Sequence, residues 1–217
     1  MADLAVTMTE SPSEPQGQLD GIGRYLTEVV AAAHGGFYRL ALAGALTIPD
    51  IMAALGSDNG RTSGPLYQEW FDEHAGPLFG LAGRLREETD PRVREIMEHQ
   101  LAQASYRPPI SGHQCWLFRC AVLHQARGRQ RAAETTRLAF IEPGSTTTSV
   151  HLVGVTDGSG NTVLQVDLGE FCRTMVQAAV EWLDANHDNP TVQANLAEVM
   201  TVYPDGAGGI AGVPVVM

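Results

Sequence analysis

The segment RCAVLH, residues 119–124, sets a permanently charged guanidinium five residues ahead of an imidazole. From Cys115 to Leu123 every side chain other than Arg119 is apolar. A helix with no polar face is buried on most sides, and a buried charge without a partner costs several kcal/mol. Such an Arg persists when it is paired, when it sits at an interface, or when chemistry needs it. A structural ion pair or a snorkelling side chain would account for it. Its company argues for chemistry: His124, then Arg127, Arg129 and Arg131. Cutting RNA through its own 2′-hydroxyl needs a base that works near neutral pH, and His is the natural one. It also needs positive charge on a phosphorane that gains negative charge, which Arg supplies. Acid–base help of this kind is worth about 10²- to 10⁴-fold, and no metal is required. Arg127, Arg129 and Arg131 would hold the flanking phosphates.

The spacing alone is weak, since this composition yields roughly 0.45 such pairs by chance. The chain holds a decoy, Arg94 and His99 in REIMEH. There the stripe Val93, Ile96, Met97 and Leu101 leaves both on solvated flanks. Five residues at 100° each also put Arg119 and His124 about 140° apart around their helix. One helix would not readily focus both on one phosphate, whereas two facing helices would, so the spacing predicts a composite site in a homodimer.

The segment resembles the R-x4-H signature of the HEPN superfamily, strongly over some 25 residues around the motif and loosely in the helical layout. Arg119 and His124 are the matching positions; where the family commonly has Asn, Asp or His after the Arg, this chain has Cys120. The resemblance implies a metal-independent endoribonuclease that needs no cofactor and a four-to-five-helix bundle with the motif on a late helix. It also implies two protomers meeting across their motif helices. A toxin or defence effector is the corresponding role, with single-stranded RNA as substrate and an antitoxin or regulatory protein as partner. The alternative of another class is a non-catalytic dimeric module of the same shape that binds a protein partner or nucleotide.

Other groupings compete for these residues. His113, Cys115, Cys120 and His124 are nitrogen and sulfur donors in one window, and the last two stand at i, i+4. The paired C-x2-C spacing of zinc sites is missing, so packed thiols are the better reading. Asp72 and Glu73 could reach Arg119, but a solvated helix face fits them better. His151 reads as a half-buried structural histidine, DGSGN as turn chemistry, and Trp70, Trp116 and Trp182 as core.

Charge sharpens the picture. The formal net charge is −11, which argues against nonspecific grip on nucleic acid or anionic membrane. All fourteen bases are Arg. Residues 107–137 carry a net +5, leaving −16 for the rest. Three cysteines without CxxC spacing suggest reduced thiols in a cytoplasm. The first residues lack a signal peptide's pattern, and no run of about eighteen apolar residues suggests a membrane span.

The elements that must position the motif follow from period and punctuation. Residues 1–17 read as a mobile tail and 202–217 as an irregular one, with one domain over 18–201. A helical stripe runs through Leu26, Val29, Val30, Ala33, Phe37, Leu40, Ala41 and Gly44, bent or interrupted at Gly35-Gly36. TIPDIMAALG reads as a separate short helix capped near Thr47, and Pro65 opens another, ending near Gly76-Pro77. Asp90-Pro91 starts a helix, and Ser111-x-x-Gln114 is a capping box that opens the motif helix. The period then changes to two across RLAFIE, VHLVGVT and TVLQVDL. These predict a small antiparallel β insertion over about 137–167, as a meander or a hairpin with a looser third strand. Asp167-x-x-Glu170 opens the last long helix, and Asn189-Pro190 a final short one. The expected class is mainly α: a HEPN-like helical bundle with that β insertion before the last long helix.

Overall fold

The computed structural model describes residues 20–103, 107–125, 136–143, 151–156, 158, 160 and 162–199. Both expected tails therefore lie wholly outside the described residues. So do Arg127, Arg129 and Arg131.

Helix boundaries fall where side chains can satisfy the first free backbone N–H groups. Ser111 and Gln114 form the complete reciprocal box: Ser111 N donates to Gln114 Oε1 at 3.0 Å and Gln114 N to Ser111 Oγ at 3.2 Å. That box starts α6, Gly112–Gln125. Asp90 caps α5, Pro91–Leu101, and Asn189 caps α8, Pro190–Leu196. Asp167 accepts from Glu170 N at 2.9 Å at the start of α7, Leu168–Ala185. Here the box is half made, because the Glu170 carboxylate turns to Arg173 instead.

Upstream, α1 spans Asp20–His34 and α2 spans Tyr38–Gly56. Gly36, at φ +78°, makes the sharp link that no side chain tolerates well. The separate helix expected at TIPDIMAALG is part of α2, which runs straight through Pro49. An internal proline costs about 3 kcal/mol, but Ala45, Leu46, Ile48 and Met52 around it are wholly buried, and that packing overrides the local signal. A Cβ on Gly44 would meet Val29 Cγ2 at 2.7 Å, so its glycine lets α1 and α2 approach closely. Phe37 and Leu40, expected on the inner stripe, lie exposed.

α3, Gly64–Trp70, passes into a wider π turn at Phe71–Ala75 and a tight 3₁₀ turn at Gly76–Phe79, then α4, Leu81–Glu87. α2 is the centre of the bundle and touches α1, α3, α6, α7 and α8. Among the described residues it is the one helix long and apolar enough to cross a membrane. Its buried residues belong to the core shared with its neighbours.

Three strands form one sheet: β1, Thr136–Ile141, β2, Val153–Thr156, and β3, Thr162–Asp167. The order is β1-β3-β2. β2 and β3 are the expected antiparallel hairpin, but β1 runs parallel to β3, with Leu138 opposite Leu164 and Phe140 opposite Val166. The all-antiparallel insertion is thus corrected to a mixed sheet. The physical reason is burial. Leu164 and Val166 are buried, whereas every residue of β2 is exposed, so β3 and not β2 takes the centre. The connection from β1 to β3, residues 142–161, exceeds the dozen or so residues that a parallel pair needs. Phe140 then meets Phe171 of α7 edge-on at 4.8 Å and Phe118 of α6 at 4.9 Å, which ties the sheet to the motif helix. The chain is mainly helical with this small sheet.

Candidate functional site

α6 turns Cys115, Phe118 and Ala121 to the core; Leu117, Cys120, Val122 and Leu123 are partly exposed. The helix is therefore less enclosed than its composition suggests. Gly112 fixes how it meets α3: a Cβ there would lie 2.3 Å from Gln68 O. Asp72 accepts a hydrogen bond from Gly112 N at 2.6 Å, so it anchors the start of α6 rather than pairing with Arg119.

The partner of Arg119 comes from α2. Arg119 Nε donates to Asp50 Oδ2 at 2.8 Å, with side-chain exposures of 17% and 11%. The guanidinium also lies over the Trp116 ring, 5.1 Å from its centroid. Trp116 packs in turn on Tyr67, whose hydroxyl donates to Leu46 O at 3.1 Å and lies 3.2 Å from Cys115 Sγ. Burial raises the Asp50 carboxyl above its ordinary value, and the attraction of Arg119, its hydrogen bond and His124 offset that only in part. Asp50 Oδ1 is buried with no partner among the described residues. A buried acceptor left so is costly, and a group from outside the chain could satisfy it.

The two motif residues meet within one chain. Arg119 Nη1 lies 2.9 Å from His124 Nε2, and His124 is exposed. Arg can only donate, so in this contact Nε2 accepts and the imidazole proton sits on Nδ1. The expected divergence of 140° holds for the helix positions, but the long Arg side chain closes it. A composite dimer site therefore does not follow from the spacing. The result is a chain of contacts, Asp50 to Arg119 to His124, running from the core to the surface. A groove of about 450 Å³ opens beside Asp50, bounded also by Asn195, Glu198 and Val199 near α8.

Asp50 was the site residue that reasoning from pattern missed. A signal was present: it is the only acid in α2, and Arg119 is the only base in the apolar run of α6. A lone acid and a lone base in two apolar helices need each other. The decoy behaves as expected: Arg94 and His99 are both exposed, with Arg94 near Glu98 at 3.9 Å. The metal alternative fails on geometry. No three His, Cys, Asp or Glu side chains converge among the described residues, and Cys115 is buried against Tyr67 while His113 is exposed. No protein-family model, curated protein or solved structure matches this chain.

Proposed function

We propose that this protein is a cytoplasmic, metal-independent endoribonuclease of the HEPN type, with a toxin or defence role, acting through Arg119 and His124. The observation that carries the reading is the 2.9 Å contact between Arg119 and the exposed His124, anchored from behind by Asp50. Asp50 holds Nε and leaves Nη1 and Nη2 for a phosphate. When RNA arrives, Nη1 exchanges the imidazole for a phosphate oxygen. That frees the Nε2 lone pair to take the 2′-hydroxyl proton, and the attacking oxygen is the substrate's own. Arg119 then neutralises the charge that grows on the phosphorane, the P–O5′ bond breaks, and the departing 5′-oxygen takes the proton that His124 has picked up, which leaves the cyclic phosphate and a 5′-hydroxyl. Arg127, Arg129 and Arg131 supply the electrostatic grip on the strand. Two copies meeting near α6 would cover Leu117 and Leu123.

The test uses purified protein, single-stranded RNA and excess EDTA. Cleavage should leave a cyclic phosphate on the 5′ fragment and a free 5′-hydroxyl on the other, while DNA survives. His124→Ala and Arg119→Ala should each cost at least about 10²-fold. Arg129→Ala should mainly weaken binding and flatten its salt dependence. Arg94→Ala and His99→Ala should change little. Equal activity of all variants, or loss of cleavage on chelation, would overturn the assignment. One observation favours a second reading, a non-catalytic dimeric module that binds a partner: Asp50 already neutralises Arg119 inside the chain. Under that reading no cleavage occurs and overexpression does not arrest growth.

A further inference from the structure

A concentration of positive charge among the described residues lies away from the motif. A cavity of about 550 Å³ opens between α4, the 107–109 stretch, residues 151–152 and α7. Four guanidiniums line it, Arg84, Arg86, Arg107 and Arg173, against two carboxylates, Glu87 and Glu170. It shares no lining residue with the Asp50 groove.

Gathering cations on one concave wall is unfavourable unless something answers them. Part of the answer is internal. Arg86 pairs with Glu181 and Arg173 with Glu170, each through a single terminal nitrogen. That leaves most of their donors unused, since a guanidinium carries five N–H groups. Arg84 is exposed and makes no ion pair with the described residues.

His151 adds a second, independent sign. Its Nδ1 is buried and finds no partner among the described residues. Burial lowers its pKa, with Arg173 and Arg84 acting in the same direction and Glu170 and Asp167 opposing, so the ring is neutral at neutral pH and offers one N–H. The following residue, Leu152, is held at φ +57°, a conformation a branched side chain seldom adopts. Strain of that kind is retained where surrounding structure enforces it, and ligand clamps are such places.

Size and lining narrow the ligand. A bare phosphate would fill little of this volume, which falls in the range that holds small organic ligands. Phe79, Pro109 and Leu152 give it apolar wall beside the guanidiniums. The guanidinium N–H groups left over by those pairs suit a phosphate monoester, whose charged oxygens accept several charge-assisted hydrogen bonds.

We propose that this cavity binds a small organic phosphate monoester of mononucleotide size, its phosphate held by Arg84 and Arg173 and its organic part against the apolar wall. The site stands apart from the ribonuclease reading and survives or fails without it. The experiment is calorimetric titration of the full chain with AMP, GMP, CMP and UMP, with adenosine and inorganic phosphate in parallel. At least one monophosphate should saturate below about 1 mM, with adenosine and inorganic phosphate at least about tenfold weaker. Arg84→Gln should weaken that binding at least about tenfold through loss of a charge-assisted contact. Arg84 is exposed, so the variant should fold, and an unchanged circular-dichroism melt checks it. Arg24→Gln, at an exposed pair with Glu28 on α1, should bind like the parent. Absence of saturation by any monophosphate would overturn the proposal. So would inorganic phosphate binding as tightly as the best nucleotide, or Arg84→Gln and Arg173→Gln both binding like the parent.

Discussion

Removing either member of the Asp50–Arg119 pair should destabilise the fold, with a different dependence on pH in each case. A guanidinium stays charged across the working pH range. Asp50→Ala therefore strands a cation that is 17% exposed. Stranding a fully buried ion costs about 3–5 kcal/mol; the residual exposure and the Trp116 face reduce this to about 2–3 kcal/mol. That penalty should stay level between about pH 5 and pH 8. Arg119→Met keeps the packing stem and strands Asp50 instead, and a carboxyl can escape by binding a proton. The escape costs about 1.4 kcal/mol for each unit between its ordinary value, about 3.9, and the ambient pH. The penalty is thus capped at about 4 kcal/mol at pH 7 and about 1.5 kcal/mol at pH 5. The sign follows from linkage. Burial already raises Asp50 in the folded chain, and loss of Arg119 removes what lowers it. Between the unfolded and folded values the folded chain holds more protons, so stability falls as pH rises through that window and returns as pH drops. Urea unfolding of the parent, both single variants and the double variant at three pH values reads all of this. The double variant should be less destabilised than the sum, by at least about 1 kcal/mol. Identical pH profiles for the two single variants, or strict additivity, would refute the reasoning.

Burial pushes the Cys115 and Cys172 thiols up to about 12 each, leaving about one in ten thousand ionised near pH 8. Iodoacetamide should therefore label Cys120 alone in the folded protein and all three after denaturation, as mass spectrometry would show; equal rates at Cys115 and Cys120 would contradict the packing. Gly112→Ala drives a methyl into the Gln68 backbone, so it should cost roughly 2–4 kcal/mol in urea melts and displace α6, lowering RNA cleavage with the motif intact. If α6 lies at a homodimer interface, sedimentation should give about twice the 23.3 kDa chain mass, and a strict monomer at micromolar concentration would remove the interface.

α5 shows where pattern and structure part. Its stripe of Val93, Ile96 and Met97 is plain in the sequence, yet no residue of the helix is fully buried. Periodicity reports that a face is apolar; whether anything covers it depends on elements far away in the chain. α7 comes nearer its pattern: of the expected inner stripe Phe171, Cys172, Met175, Val176, Ala179, Val180 and Leu183, the first three and Ala179 are buried, Val176 and Leu183 are partly so, and Val180 is exposed.

By itself the sequence determined the helix starts at Ser111, Asp90, Asp167 and Asn189, the change to strands near residue 137, and the solvated fate of Arg94 and His99. Each depends on hydrogen bonds or periodicity within a few residues, so the local chain carries the whole cause. Tertiary structure alone decided the parallel pairing of β1 with β3, the unbroken passage of α2 through Pro49, and the union of Asp50 with Arg119 across 69 residues. Those outcomes rest on which surfaces bury one another. Burial is a property of the assembled core, and a sequence window holds only one side of each contact.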